Sequence, residues 1–324
     1  MSKSFINLDT EQAVISAIPA LLRFVPTNSV VAIMFGPSGA PRTEVHSTIR
    51  FDLDVDQARR LPVTCNLHSR NTAAAILVAI GGHDYDEHVL QVLNAARAAL
   101  HRQSIQVLQM LTTHSLTEAG HWADPDTGAY GPTVPYTDAA ITAQLVFEGA
   151  AINTSREDIE AEFTVTDAAP YVAVEEEFDE LVRRTAVELH ALATGRSSAP
   201  TEDLATRAAI IVTENVHIRD GLLRIGLGNE FASAQMWTAL AAQLRGQARA
   251  EILTVAAFNY YLAGDGVRAG IAIDHVADAA AAAHLPMTTL AELLNAALRA
   301  AMDPAKLRMI VPNRDRTPIP GTDL

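Results

Sequence analysis

The chain has 324 residues, of which 49% are hydrophobic and 19% are charged, and its formal net charge is −14. This balance differs from the polar, highly charged composition of disordered chains, so we predict a folded protein with a substantial core. An acidic surface repels phosphate backbones, and the sequence offers no extended basic run. We therefore expect no direct binding to nucleic acid.

Features of the sequence also bear on its compartment. No run of about 18 uncharged apolar residues occurs, and the first residues lack the basic and apolar regions of a signal peptide. The single cysteine, Cys65, cannot form an internal disulfide or a multi-cysteine metal site, and we interpret it as a small buried hydrophobic residue. These features predict a soluble, cytoplasmic protein that does not associate with a membrane.

The first half of the chain begins with a predicted helix over 11–22, followed by two strand patterns. A near-continuous apolar run at 29–36 predicts a strand that is buried on both faces. Apolar and polar residues alternate over 45–53, which predicts a strand with one buried face and one wet face. Because only a short turn separates them, we expect these two strands to pair as an antiparallel hairpin.

A parallel pair of strands is predicted next. Buried strands at 73–80 and 104–111 flank an amphipathic helix, which is the pattern of a βαβ unit. Short strand pieces are expected near Trp122 and Tyr130. We therefore predict an α/β domain with a mixed sheet, made of an antiparallel hairpin and a parallel βαβ unit, over residues 1–168.

From about residue 170 the hydrophobic spacing is almost entirely helical, so we predict an all-α helical domain over 169–305. The stretch 256–275 has the form of a tetratricopeptide-like hairpin, with a Gly-Asp-Gly turn between two helices. No second copy occurs at the period that a solenoid requires, so a repeat groove and a plain hairpin within a bundle both stay open. Residues 306–324 are expected to form a flexible tail.

Polar side chains follow both strands of the predicted parallel pair. His83 and Asp84 lie in the loop after 73–80, and His114 follows 104–111. Ligands of open α/β sheets bind beyond the carboxyl ends of the strands, so these three side chains are candidates for a metal or acid–base site. The alternative is purely structural: two glycines make the turn, Asp84 caps the next helix and the histidines are solvated.

The triplet Ser155-Arg156-Glu157 stands where a helix is expected to begin. Ser155 is predicted to be the N-cap, and Glu157 is a first-turn acid that suits the positive end of the helix dipole. No histidine lies near Ser155 in the sequence to activate it as a nucleophile. Arg156 has no such structural role, which makes it a candidate for either an ion pair or the binding of an anion.

Two short motifs have the form of family signatures. FVP at 24–26 precedes a buried strand and resembles Phe-His-Pro, whereas SRE at 155–157 matches Ser-Arg-Glu in full. On these motifs the sequence resembles the actinobacterial family called domain of unknown function 4192. Val25 replaces the histidine of that family, so no catalytic or metal role is available at this position. The resemblance implies a fold and a structural motif, and no activity; the motif residues are Phe24, Pro26, Ser155 and Glu157.

Common catalytic templates are absent from the sequence. It lacks the nucleophile elbow, the P-loop, the HExxH zinc motif and a complete dinucleotide-binding motif. Our main hypothesis is a non-catalytic binding or regulatory protein that uses its helical half for protein interaction, with a protein partner or self-association into a homo-oligomer. The alternative is a metal-assisted or acid–base hydrolase with its site at the strand ends near His83 and His114. The sequence identifies no cofactor.

Overall fold

A computed structural model describes residues 8–36, 45–65, 72–82, 86–147, 151–170 and 175–323. The chain divides into two compact units, which we call the α/β unit and the helical unit. The α/β unit comprises Met1–Asp158 with Arg299–Ala301, and the helical unit comprises Ile159–Leu298 with Met302–Leu324. The division therefore falls after residue 158, whereas the sequence analysis set it after residue 168.

The α/β unit contains a mixed sheet. Among the described residues its six strands are β1 Ser29–Phe35, β2 Val45–Asp52, β3 Ala74–Ile80, β4 Gln106–Thr113, β5 Gly120–Ala123 and β6 Tyr130–Thr133. They lie in the order β2-β1-β3-β4-β5-β6. β3 and β4 are parallel, and the other neighbouring pairs are antiparallel. The predicted mixed sheet with one parallel pair is confirmed, and so is the hairpin of β1 with β2.

Helices cover both faces of this sheet. On one face, helices α2 (Val55–Thr64) and α3 (Glu87–His101) enclose an apolar core with alternate residues of β1, β3 and β4, including Met110. Side chains of neighbouring strand residues point to opposite faces. Gln109 therefore lies on the other face, where its amide donates a hydrogen bond of 3.2 Å to Glu11 of helix α1 (Glu11–Leu22). Packing on both faces explains why all of β1 is buried.

Two short helices complete the α/β part of the sequence. Helix α4 spans Ala140–Phe147, and helix α5 spans Arg156–Ala161. α4 is apolar, yet only Thr142 of its residues is buried. Within the described ranges, no helix of the chain combines the length and the apolar character that crossing a membrane requires.

The helical unit is built from helices packed around α10. Its helices are α6 Phe178–Ala193, α7 Leu204–Glu214, α8 Val216–Leu222, α9 Glu230–Ala242, α10 Gly246–Leu262, α11 Gly266–Ala282, α12 Thr289–Arg299 and α13 Pro304–Arg308. A 3₁₀ turn, Leu223–Gly226, follows α8 directly. From Arg249 to Leu262 nearly every residue of α10 is buried, which places this helix at the centre of the unit.

α10 and α11 form the helical hairpin around the Gly-Asp-Gly turn. Gly264 adopts a φ of +77°, and the side chain of Asp265 caps α11 by accepting a hydrogen bond of 3.0 Å from the amide of Arg268. The same carboxylate group pairs with the guanidinium of Arg268 at 2.9 Å. Glu162 binds the other side of that guanidinium at 2.8 Å, so this buried arginine satisfies two carboxylates.

Candidate functional site

The loops that follow β3 and β4 lie side by side at the carboxyl edge of the parallel pair. The amide of Gly81 donates a hydrogen bond of 2.9 Å to the carbonyl of Thr113. One residue further along each loop, Nδ1 of His114 lies 3.0 Å from the carbonyl oxygen of Gly82. The predicted approach of these two loops therefore holds for the residues that the structure describes. His83 and Asp84 lie outside the described residues.

The contact with Gly82 fixes the chemistry of the His114 ring. A carbonyl oxygen can only accept, so the hydrogen must be on Nδ1 of His114. In the neutral ring the lone pair is then on Nε2, which is the arrangement found in histidines that act as bases or metal ligands. The His114 side chain is exposed. The backbone therefore orients this exposed ring at the edge of the sheet.

A short bridge in the α/β unit joins the first family-like motif to the segment that precedes the second. Phe24 forms an isolated parallel β-bridge with Asn153, in which Val25 donates to the carbonyl of Asn153 at 3.1 Å. The amide of Asn153 donates in turn to the carbonyl of Arg23 at 2.9 Å. Phe24 and Val25 are buried. The bridge joins the segment before β1 to the segment before the Ser-Arg-Glu triplet, a contact that the sequence analysis did not predict.

Four residues before β1 and after β3 have positive φ values. Arg23 and Asn28 have φ values of +65° and +44°, and Gly81 and Gly82 have values of +94° and +77°. A side chain at Gly81 would place its Cβ 2.5 Å from Oδ1 of Asn28, so only glycine fits there. The close fit of Gly81 against Asn28 therefore holds the loop after β3 beside the segment before β1.

The Ser-Arg-Glu triplet itself begins helix α5. Ser155 Oγ accepts a hydrogen bond of 3.1 Å from the amide of Asp158, and the Asp158 carboxylate accepts one of 3.0 Å from the amide of Ser155. This reciprocal pair is a capping box closed by aspartate. Hydrogen bonds from the Thr154 hydroxyl and from Ser155 lower the pKa of Asp158. Glu157 is exposed and Arg156 is half-buried, so the two hypotheses for Arg156 stay predictions.

No group of three or more histidine, cysteine, aspartate or glutamate side chains in the described part of the chain is arranged to hold a metal ion. His114 is the member of the predicted set that the structure describes. The predicted metal or acid–base site therefore stays a prediction, because His83 and Asp84 lie outside the described residues.

A second candidate site lies in the helical unit, where the end of the chain packs against helices. Arg224 donates from Nη1 to the hydroxyl of Thr317 at 2.6 Å and to the carbonyl of Pro312 at 3.2 Å. Its Nη2 donates to the carbonyl of Thr317 at 2.6 Å. The Ile319 side chain is 2% exposed. We call residues 312–321 the tail segment.

Two glycines allow the tail segment to approach closely. A Cβ on Gly221 of α8 would lie 3.2 Å from the carbonyl oxygen of Thr317 and 3.4 Å from Ile319. Gly321 has a φ of +65°, and a Cβ there would lie 2.6 Å from Cδ of Arg183 on α6. We call Arg183, Gly221 and Arg224 the tail-binding surface. The sequence analysis expected a flexible tail here. It did not predict the contact because Arg224 is far from the tail segment in the sequence and no local pattern relates them.

The helical unit also has an open groove. It has a volume of about 340 Å³ and lies between α8, α10, the end of α11 and residues 285–289. Val216 and Leu285, both partly exposed, line it. A salt bridge of 2.8 Å between Arg219 and Glu251 contributes the charged part of its lining. This groove has the mixed apolar and polar lining that protein-interaction surfaces need.

A family model described as Domain of unknown function (DUF4192) matches residues 12–305 of the chain. The match takes in all described strands and both motif segments, whereas the tail segment lies beyond its end. No curated protein and no solved structure matches the chain.

Proposed function

The chain belongs to the family described as Domain of unknown function (DUF4192), and from the geometry of its helical unit we propose that it is a non-catalytic binding or regulatory protein. The helical unit binds a short segment of a partner protein. The observation that carries this proposal is the tail-binding surface, which already holds a piece of chain with turns at residues 314–316 and 320–321.

The contacts at that surface are those by which proteins recognise peptides. Arg224 binds two main-chain carbonyls, at Pro312 and Thr317, and such contacts give affinity that does not depend on side chains. The buried side chain of Ile319 fills a fixed position, and such anchors give specificity. A partner segment with the same features can use both.

The test uses the full-length chain with Ile319→Glu. A glutamate side chain is longer and charged and cannot occupy the buried apolar position of Ile319, so the tail segment should leave the surface. A fluorescently labelled synthetic peptide spanning residues 312–324 should then bind with a saturable rise in anisotropy. Adding Arg224→Ala to the same chain should abolish this binding because the donor to the carbonyls is gone.

The matched control for Arg224→Ala is Arg59→Ala, which removes an exposed arginine of α2 that pairs with Asp56. It should leave peptide binding unchanged. A peptide with glutamate in place of Ile319 should not bind. Absence of saturable binding to an Ile319→Glu chain that keeps a native circular-dichroism spectrum would contradict the proposal.

A hydrolase with its site at the carboxyl edge is the second candidate, and the orientation of His114 by Gly82 is the observation that favours it. The probes are p-nitrophenyl acetate and p-nitrophenyl phosphate, each with and without added Zn²⁺ or Mn²⁺. In this case His114→Ala should lose turnover, and His101→Ala, a change of an exposed histidine on α3, should keep it. Equal turnover by the two variants would exclude His114 as a base or ligand.

Cytoplasmic location and self-association are also part of the proposal. A single cysteine, Cys65, suits a reducing compartment. Val146 and Phe147 at the end of α4 are exposed apolar side chains that a second copy of the chain can cover. Light scattering that gives a monomer mass at high concentration would contradict self-association.

A further inference from the structure

We propose that the tail segment is an internal competitor, which keeps the tail-binding surface closed until a partner with a segment of the same chemistry displaces it. This inference rests on the proposed function and adds the regulation of that site and the class of its partner. The partner is a protein with a turn-containing segment in which a hydroxyl residue, proline and a β-branched apolar residue follow one another.

The tail segment is held by few side chains, so it can leave without disturbing the helices. Thr317 and Ile319 are buried, whereas residues 313–316 and Pro318 are exposed. The connection to α13 passes through Met309 and Ile310, which are 78% and 50% exposed. Release therefore requires the withdrawal of two side chains and the loss of the Arg224 hydrogen bonds.

The ion pair of the tail does not attach it to the helices. Arg314 pairs with Asp323, and it donates a further hydrogen bond of 3.0 Å to the carbonyl of Thr322. Both partners belong to the tail and both are exposed. This pair moves with the tail when it leaves, so it adds nothing to the closed state relative to the open one.

The contacts of the tail segment define what a partner must carry. Nη1 of Arg224 donates to the hydroxyl of Thr317, so the first position needs an acceptor oxygen. Pro318 fixes its own φ and lowers the entropy lost when an extended segment is ordered. The buried position of Ile319 needs an apolar side chain that is already restricted in rotation. Gly321 avoids the clash with Arg183 that any other residue would make.

The tether gives the tail segment an advantage over any free peptide. A segment attached by a short flexible linker has an effective concentration of about millimolar at its site. If the surface is occupied in about nine chains of ten, the apparent Kd of a free peptide rises about tenfold. A partner must therefore bind the surface with higher affinity than a free tail peptide, or be present at higher concentration, to displace the tail segment.

The experiment compares the wild-type chain with Ile319→Glu, using the labelled peptide of residues 312–324. We expect the wild-type chain to bind it with an apparent Kd at least about tenfold higher. Peptides with Thr317→Val or Ile319→Glu should bind the Ile319→Glu chain at least about tenfold more weakly than the unaltered peptide. Gly321→Val, which drives the tail away from Arg183, is a second opened variant should Ile319→Glu not fold.

Each outcome separates the two levels of the proposal. Equal binding by the wild-type and opened chains overturns the internal competition and leaves the proposed function standing. Binding by neither chain overturns both. Equal binding of the altered and unaltered peptides overturns the partner class. A wild-type chain that is dimeric by light scattering, beside a monomeric opened chain, overturns the assignment because the tail then occupies a second copy.

Discussion

Arg207 has no exposed surface, and its guanidinium pairs with the carboxylates of Glu188 and Asp203 at 2.5 and 2.9 Å. It also donates to the hydroxyls of Thr185 and Thr201 at 3.1 and 2.7 Å. A buried charge without partners is costly, so these acceptors are what allows an arginine to lie inside the helical unit. The network joins α6 to α7 through side chains rather than through apolar contact alone.

Replacing Arg207 should destabilise the fold. Arg207→Ala removes the cation of Glu188 and leaves Asp203 with only the longer pair to Arg184 at 3.4 Å, so we expect the free energy of unfolding to fall by about 3–5 kcal/mol. Arg59→Ala, which breaks an exposed pair with Asp56, should change it by less than about 1 kcal/mol. Urea unfolding followed by circular dichroism measures both. Equal losses would show that the Arg207 network does not support the fold.

The same network predicts a dependence on acid pH. Hydrogen bonding from Arg207 lowers the pKa of Asp203 to about 2, with Thr201 adding a smaller effect. The folded state therefore favours the carboxylate, and this stabilisation is present above the unfolded pKa of about 4 and lost as the pH falls toward 2. Urea midpoints should drop less between pH 4 and 2 for Asp203→Asn than for the wild-type chain. Parallel curves would contradict this assignment.

At the scale of elements, single hydrogen bonds and bridges mark where helices and strands begin. α5 has only six residues, and its start depends on the reciprocal bonds between Ser155 and Asp158. β1 starts after the bridge between Phe24 and Asn153. Helix caps and single bridges of this kind leave no periodic pattern in a sequence.

The cap of α5 can be tested by two neighbouring substitutions. Ser155→Ala removes the acceptor of the Asp158 amide and should cost about 1 kcal/mol of stability. Glu157→Ala changes an exposed residue of the same turn and should cost less than about 0.5 kcal/mol. Thermal melts of the two variants distinguish them. A larger loss for Glu157→Ala would point to a role of that carboxylate beyond the first turn.

Gly81 provides a test of the carboxyl edge. Gly81→Ala puts a Cβ 2.5 Å from Oδ1 of Asn28, in addition to the cost of a positive φ. Gly128→Ala has a similar φ and nothing within 4 Å, so it carries the backbone cost alone. We expect Gly81→Ala to lower the free energy of unfolding by about 1–3 kcal/mol more than Gly128→Ala. Equal values would mean that Asn28 moves freely.

At the scale of the whole molecule, the chain forms two compact units, and the second includes its own end. The tail packs because Arg224 and Gly221 lie on one surface of the helical unit. Arg224→Gln should weaken this packing and speed tryptic cleavage after Arg316 several-fold, because cleavage follows local opening. Arg59→Gln, which alters only an exposed pair with Asp56 on α2, should leave the cleavage rate unchanged. Unchanged cleavage of Arg224→Gln would show that the hydrogen bonds of Arg224 do not hold the tail.

Periodicity within the sequence determined the mixed sheet, the parallel pair β3–β4 and the hairpin around Gly264. These features depend on residues that are close in sequence, where alternation and helical spacing record which faces are buried. The expected position of His114 beside the loop after β3 followed from the same rule, since parallel strands end at one edge.

Tertiary structure alone decided the contacts between distant residues. The bridge of Phe24 to Asn153, the fit of Gly81 against Asn28 and the binding of Thr317 by Arg224 each join residues that no local pattern relates. The physical reason is that a hydrogen bond or a close approach fixes two points of the chain in space and leaves no period in the sequence between them. The sequence alone therefore predicted a flexible tail, because only the folded helical unit brings Arg224 next to it.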